Sequence, residues 1–158
     1  MSFGIDVNIL VYASDAGSPL HEKAAGFLAQ CARQRQVFCL AWVTLMGYLR
    51  ISTHPSVFTR PLHPDEAMRN VEALLRLPHC RVITEDDGFW SSYRELTSSV
   101  PTRGNLVPDA HLAAILLRNG VTTPQELATF VAENRETLDY VDAQSPLGSL
   151  GIVAGLTT

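Results

Sequence analysis

The sequence lacks the features of membrane-spanning, secreted and disulfide-stabilised proteins. Its longest apolar runs, such as residues 112–117, are far too short to cross a bilayer, and residues 1–13 lack the basic start of a signal peptide. The three cysteines are scattered and show no metal-ligand spacing, which indicates buried thiols in a reducing compartment. We therefore expect a cytoplasmic protein that has no contact with a membrane.

Basic charge is also scarce. Lys23 is the only lysine among 12 lysines and arginines, and the formal net charge is −4. The charge is uneven, because acids and bases balance over residues 1–123 while residues 124–158 set Arg135 alone against five acidic side chains. A neutral body does not favour tight non-specific binding of nucleic acid, although it leaves room for a local basic patch.

Apolar spacing along the chain predicts an alternation of strands and helices. Short β-prone runs predict strands over Phe3–Val7, Val37–Leu40 and Arg81–Thr84. A helix can begin at Asn8, and helical spacing predicts five longer helices over residues 19–35, 42–51, 64–77, 89–98 and 108–119. This alternation is typical of an α/β domain, so we expect a mostly parallel sheet flanked by helices within a body that covers residues 1–123.

Two carboxylates stand where α/β proteins place ligands. Asp6 ends the first predicted strand, and Asp109 lies in the first turn of the helix that Pro108 opens. Ligands bind at the carboxyl ends of parallel strands, and two carboxylates at one sheet edge can share a Mg²⁺ ion. Two structural alternatives stay open, because Asp6 can cap the next helix and Asp109 can compensate its helix dipole. Asn8 is placed to hydrogen-bond the Asp6 carboxylate or a bound water.

Three segments of the chain resemble one family of proteins. In order and at the expected separations, they are GIDVNILVYA at residues 4–13, LRISTHP at residues 49–55 and NLVPDAHLAA at residues 105–114. This combination resembles the PIN-domain ribonucleases, and among them the VapC-type toxins of toxin–antitoxin modules, over residues 1–123. The resemblance implies a three-layer fold with a parallel sheet between helices. It also implies a Mg²⁺-dependent endoribonuclease that forms a homodimer and is blocked by a small antitoxin protein.

The resemblance also implies roles for individual residues. Asp6 and Asp109 match the family's two most characteristic acidic positions, so they would hold Mg²⁺, or alternatively Mn²⁺, while Asn8 would orient them. Water activated by the metal would attack the RNA phosphodiester without a covalent enzyme intermediate. Arg50 and His54 could contact RNA phosphate, or they could simply form the end of a helix.

The sequence departs from the family pattern at two places. Gly47 stands where the family often has a glutamate that would add a third acid. After Thr123 the family continues as a strand and a loop with another aspartate, whereas here a capping box with Pro124 at the first helical position predicts a helix. We therefore expect an atypical acidic tail over residues 124–158, helical at first and then irregular. Such a tail is either a natural variant of the family or the product of a change of reading frame.

Two rival functions stay open. Gly47 and the missing tail acid favour a PIN-fold protein that binds its antitoxin without cleaving RNA. A small-molecule phosphatase would need a general acid two residues after its nucleophilic aspartate, but residue 8 is asparagine. Among the remaining candidates, we expect the acidic turn at residues 85–87 and His111 to be exposed, and Trp42 and Trp90 to lie in the core or in an interface.

Overall fold

Strands and helices alternate along the chain, as the sequence predicts. The computed structural model describes residues 2–58, 60–98, 102–104 and 106–121. The strands are β1 (Phe3–Gly4), β2 (Phe38–Ala41) and β3 (Cys80–Ile83), and the helices are α1 (Val7–Ser14), α2 (His21–Arg33), α3 (Trp42–Ser52), α4 (Pro64–Leu75), α5 (Phe89–Thr97) and α6 (Leu106–Arg118). The helix expected after Pro124 lies outside the described residues. No described helix is both long enough and apolar enough to cross a membrane.

The described strands form one parallel sheet in the order β1-β2-β3. Phe3 of β1 pairs with Phe38 of β2. The ladder continues one residue past β1, because the Ile5 amide donates to the Cys39 carbonyl at 3.0 Å. Parallel strands bring their carboxyl ends to one edge of the sheet, and Asp6 follows β1 at that edge.

Helices cover both faces of the sheet. Phe38 and Leu40 of β2 belong to an apolar cluster that includes residues of α1, α2, α3 and α4. Cys39 and Ala41 of the same strand belong to a second cluster, with residues of α6. Because successive side chains of a strand point to opposite faces, the two clusters place the sheet between two helical layers. The expected three-layer α/β fold is therefore confirmed.

Two helix boundaries differ from the predicted ones for identifiable reasons. α2 begins later than predicted, at His21, after a turn in which the Ser18 hydroxyl accepts a hydrogen bond from the Leu20 amide at 3.2 Å. α6 begins earlier than predicted, at Leu106, so Pro108 is its third residue. Since the first four N–H groups of a helix have no partner within it, a proline in third place costs the helix no hydrogen bond.

Candidate active site

One cleft brings together all five residues that the sequence singled out. It lies where β1 ends, between the start of α1, one side of α3 and the start of α6, and its volume is about 600 Å³. Its walls include Asp6, Asn8, Arg50, His54 and Asp109. The topology explains why α1 and α3 meet at the cleft, because these helices directly follow two neighbouring parallel strands at their carboxyl ends.

Asp6 is the N-cap of α1. Its backbone is extended, with φ −83° and ψ 158°, and its carboxylate accepts a hydrogen bond from the Asn8 backbone amide at 3.3 Å. The capping alternative is therefore correct for this residue. Capping does not prevent ligand binding, since the two oxygens of a carboxylate can accept about four hydrogen bonds.

Burial makes the Asp6 carboxylate unusually basic. The residue is only 5% exposed, and the loss of hydration raises its pKa from 3.8 to about 7. Hydrogen bonds from the backbone amides of Val7 and Asn8 lower the pKa but do not offset this effect. A cation in the cleft would replace part of the lost hydration and favour the ionised carboxylate.

Asn8 presents a buried polar atom to the same cleft. The residue is 3% exposed, and its Oδ1 atom has no hydrogen-bond partner among the described residues. An unsatisfied buried acceptor costs about 1–3 kcal/mol, which a water or a cation in the cleft would recover. The hydrogen bond between Asn8 and Asp6 comes from the backbone amide rather than from the side chain. The sequence placed Asn8 beside Asp6 but did not predict this geometry.

Asp109 faces the cleft from the first turn of α6. The residue is half-buried, and the positive end of the helix dipole favours its ionised form. Asp6 and Asp109 thus approach the cleft from the N-termini of two different helices. Asp109 can compensate the dipole of α6 from this position and also bind a ligand in the cleft.

Gly47 lies in the wall of the cleft that α3 forms. A Cβ atom added at this position would meet one described neighbour within 4 Å, which is the Val7 Cγ2 atom at 3.5 Å. That distance is an ordinary van der Waals contact, so packing does not require glycine here. Compared with the family's glutamate, Gly47 therefore lacks a carboxylate that could bind a metal, but it does not close the cleft.

The donor atoms in the cleft suit a hard divalent cation. No three histidine, cysteine, aspartate or glutamate side chains cluster as a metal site within the described ranges. Asp139 and Asp142 of the tail lie outside those ranges. Because Mg²⁺ is usually bound through one or two carboxylates and keeps several waters, Asp6 and Asp109 with the Asn8 amide oxygen form a fitting set.

The acidic turn at residues 85–87 forms its ion pairs outside the cleft. Glu85 pairs with His111 at 2.5 Å, and Asp86 pairs with Arg118 at 2.7 Å. The turn is exposed, as expected, but the expectation for His111 is wrong. Its half-buried ring packs against Phe89, with centroids 4.9 Å apart. These contacts join the turn to α6, the helix that carries the second carboxylate.

α3 exposes two large apolar side chains to solvent. Tyr48 and Ile51 are buried, whereas Trp42 is 45% exposed and Met46 is 49% exposed. Trp90 of α5 is 63% exposed. Neither tryptophan lies in the core, and the alternative that the two lie in an interface stays a prediction. α3 packs on α1 and α4 through its other side, which leaves the side with Trp42 in solvent.

The apolar part of the cleft wall was not predicted from the sequence. Val43, Met46 and Leu112 line the cleft beside the carboxylates. The available signal was the four-residue spacing of Trp42, Met46 and Arg50, because residues four apart share one face of a helix. Met46 and Arg50, two members of that series, line the cleft.

Comparisons with known proteins identify one family. A family model described as the PIN domain matches residues 5–133, which extends past the expected boundary at residue 123. Ribonuclease VapC48 of Mycobacterium tuberculosis is 41% identical over 123 residues, which are 78% of this chain and 85% of that protein. Ribonuclease VapC43 of the same species is 37% identical over 118 residues, which are 75% of this chain and 80% of that protein.

A solved structure shows the same fold. The crystal structure of Mycobacterium tuberculosis VapC20, a toxin that cleaves the sarcin–ricin loop, matches with a TM-score of 0.56 and 18% identity, over 77% of this chain and 85% of that one. The three-layer fold and the family match together define a PIN-domain protein. The chain belongs to the PIN-domain family and, within it, to the VapC ribonucleases. The resemblance found in three short segments is therefore confirmed.

Proposed function

We propose that this protein is the toxin of a toxin–antitoxin pair and cleaves RNA internally with the help of a divalent cation. Mg²⁺ is the expected cation, and Mn²⁺ is the expected substitute. One observation carries the proposal: one cleft of a VapC ribonuclease is lined by a buried carboxylate, a second carboxylate and an amide oxygen that has no hydrogen-bond partner among the described residues. The family further supports a small antitoxin protein as partner, a homodimer and a cytoplasmic location.

Asp6, Asp109 and Asn8 are the residues that would hold the cation. When bound, the cation supplies the charge that activates water and neutralises the phosphate in the transition state. Asp6 is held in place for this task by its hydrogen bond to the Asn8 backbone amide. Apolar side chains also line the cleft beside the carboxylates, and apolar surroundings strengthen electrostatic interactions.

Arg50 and His54 lie on one side of the cleft and would position the RNA backbone. Both are exposed and both line the cleft. The Nδ1 atom of His54 accepts from the Ser56 amide at 3.2 Å, so the neutral ring carries its proton on Nε2. That N–H and the guanidinium N–H groups of Arg50 can donate to phosphate oxygens.

The proposal is tested by incubating the purified protein with structured RNAs, in Mg²⁺ and in excess chelator. We expect internal cleavage in Mg²⁺, its loss in chelator, and its return when Mg²⁺ or Mn²⁺ is restored. Cleavage that is indifferent to the chelator would contradict the role of the cation. Intact RNA under every condition would contradict the proposed activity.

A second candidate function is binding of the antitoxin without catalysis. The observation that favours it is the presence of Gly47 in the wall of the cleft, where a third acid would stand in the family pattern. Under this alternative, the protein would bind the antitoxin normally but leave RNA intact in Mg²⁺.

We expect Gly47→Glu to strengthen cation binding. The position has room for a side chain, and replacing a glycine inside a helix removes a penalty of roughly 0.5–1 kcal/mol. A third carboxylate should lower the Kd for Mg²⁺ at least about tenfold. Calorimetric titration with Mg²⁺ measures this change, and Gly47→Gln is the matched control without the charge. Equal affinities in the two variants would show that residue 47 does not face the cation.

A further inference from the structure

The turn between β3 and α5, residues 84–88, forms polar contacts with α6 that the proposed chemistry does not use. Glu85 accepts a hydrogen bond from the ring Nε2 atom of His111, in the second turn of the helix. Asp86 accepts two hydrogen bonds from the Arg118 guanidinium, from Nε at 3.0 Å and from Nη2 at 2.7 Å. We call these two pairs of side chains, Glu85–His111 and Asp86–Arg118, the clasp.

The turn is shaped to hold the end of α6 in one geometry. The Asp86 carboxylate also accepts a hydrogen bond from the Gly88 amide at 3.1 Å, which fixes the carboxylate within its own turn. The Arg118 guanidinium lies so close to Gly88 that a Cβ atom added there would meet three guanidinium atoms at less than 3.0 Å. Just beyond α6, the Asn119 side chain donates to the Thr84 carbonyl at 3.1 Å. The turn and the helix are therefore joined by several directional contacts.

The clasp lies on the side of α6 that faces away from the cleft. His111 and Arg118 are seven residues apart, so they share a face of the helix and are separated by about 10 Å along its axis. Asp109 precedes His111 by two residues, which places it about 200° around the helix. None of the four residues of the clasp is among the cleft-lining residues. The clasp is therefore placed to act on the orientation of α6 and not on a substrate.

We propose that the clasp positions Asp109 for the cation by fixing the rotation of α6 about its own axis. The inference rests on the proposed function, because it concerns Asp109 as a ligand of the cation. Leu112, Ile115 and Leu116 hold α6 against the sheet, but apolar contacts are non-directional. The directional contacts that fix the rotation come from the clasp.

A small rotation of α6 is enough to disturb the site. A helix with its side chains is about 10–12 Å across, so a rotation of about 10° moves an atom at its surface by about 1 Å. A misplacement of about 1 Å at a reacting centre can lower a rate about 100-fold. An exposed ion pair contributes little to stability, so loss of the clasp should affect the site more than the melting temperature. Glu85 and Asp86 are therefore positioning residues that act through His111 and Arg118.

The test compares Asp86→Ala with Asp87→Ala, using the full chain well below its melting temperature. Calorimetric titration with Mg²⁺ in the absence of RNA gives the Kd of the cation, and cleavage of one RNA gives kcat and KM. We expect Asp86→Ala to raise the Mg²⁺ Kd at least about threefold and to lower kcat at least about tenfold, with KM within about twofold. Asp87 is the matched control, because it is an exposed acid of the same turn and belongs to none of the described ion pairs. Its replacement should leave all three values within about twofold.

Two further comparisons separate positioning from folding. Gly88→Ala keeps every side chain of the clasp but puts a methyl group where the Arg118 guanidinium lies. Gly88 has φ −90° and ψ −4°, which other residues also adopt, so the effect of this variant would come through Arg118 and should match that of Asp86→Ala. The double variant Asp86→Ala/Arg118→Gln should be within about twofold of either single variant, because one contact can be lost only once. Arg118→Lys keeps the charge and should recover part of kcat.

An Asp86→Ala variant with a lower melting temperature but an unchanged Mg²⁺ Kd and kcat would overturn the inference, because the clasp would then only stabilise the fold. Additive effects of Asp86→Ala and Arg118→Gln would overturn it as well. If the wild type binds Mg²⁺ but leaves RNA intact, the proposed function fails, and the Mg²⁺ Kd of the variants still decides whether the clasp positions Asp109. If the wild type cleaves RNA and the variants match it in Kd and kcat, only this inference fails.

Discussion

Asp6→Asn should make the cation-free protein more stable at pH 8, by about 1 to 4 kcal/mol. Burial raises the pKa of Asp6 from 3.8 to about 7, so holding this carboxylate ionised costs the folded state free energy. A tenfold change in the proton affinity of a group corresponds to about 1.4 kcal/mol, which sets the upper bound. Asparagine is also a good N-cap, so the variant can keep the hydrogen bond from the Asn8 amide.

The raised pKa of Asp6 also fixes the direction of the pH dependence. Because the folded pKa lies above the unfolded value, the folded state binds the proton more tightly. The contribution of Asp6 to stability is therefore largest below about pH 4 and falls as the pH rises towards about 7. The asparagine variant should not show this fall.

Urea unfolding in chelator at pH 5 and pH 8 measures both effects. Adding Mg²⁺ should stabilise the wild type at pH 8 and have much less effect on the variant, because ligand binding to the folded state raises the free energy of unfolding. A variant less stable than the wild type at pH 8 would show that ionised Asp6 is not a source of strain.

Asp109→Asn should abolish cation-dependent cleavage and leave the fold intact. The exchange is nearly isosteric and removes one charge from the first turn of α6, which costs no more than about 1 kcal/mol. Loss of a ligand to the cation should lower the cleavage rate at least about 100-fold. Initial rates on one RNA in Mg²⁺, with melting temperatures as the check on folding, measure the effect.

Asp87→Asn is the matched control for this prediction. Asp87 is an exposed acid in the turn after β3 and is not among the cleft-lining residues. Its neutralisation should leave cleavage within a factor of about two. If Asp109→Asn kept both the melting temperature and the activity of the wild type, Asp109 could not be a ligand of the cation.

The positions of the two carboxylates were predictable because their signals are local. Asp6 ends an apolar run, and Asp109 stands beside a proline that is typical of a helix start. Once the strands are known to be parallel, their carboxyl ends must lie at one edge, which brings the starts of α1 and α3 together. The fold class and the general place of the site follow from these signals.

The properties of the site were not predictable, since they depend on contacts between distant segments. The burial of Asp6, and with it the raised pKa, arises only when α1, α3 and α6 surround the cleft. Trp42 has the apolar character of a core residue, and only the packing of α3 on α1 and α4 shows that it faces solvent. The partner of His111 is likewise 26 positions away in sequence, at Glu85. Spacing along a helix fixes which residues share a face but not which face is buried.

Anomalous X-ray diffraction from wild-type crystals grown with Mn²⁺ tests the position of the cation most directly. We expect one strong anomalous peak in the cleft, bound by carboxylate oxygens of Asp6 and Asp109 at about 2.1 Å or through one water. The Asn8 side chain should contact the same ion or one of its waters. A cleft without a peak in crystals of a protein that cleaves RNA in Mn²⁺ would contradict the assignment, as would a single peak at the acidic turn of residues 85–87.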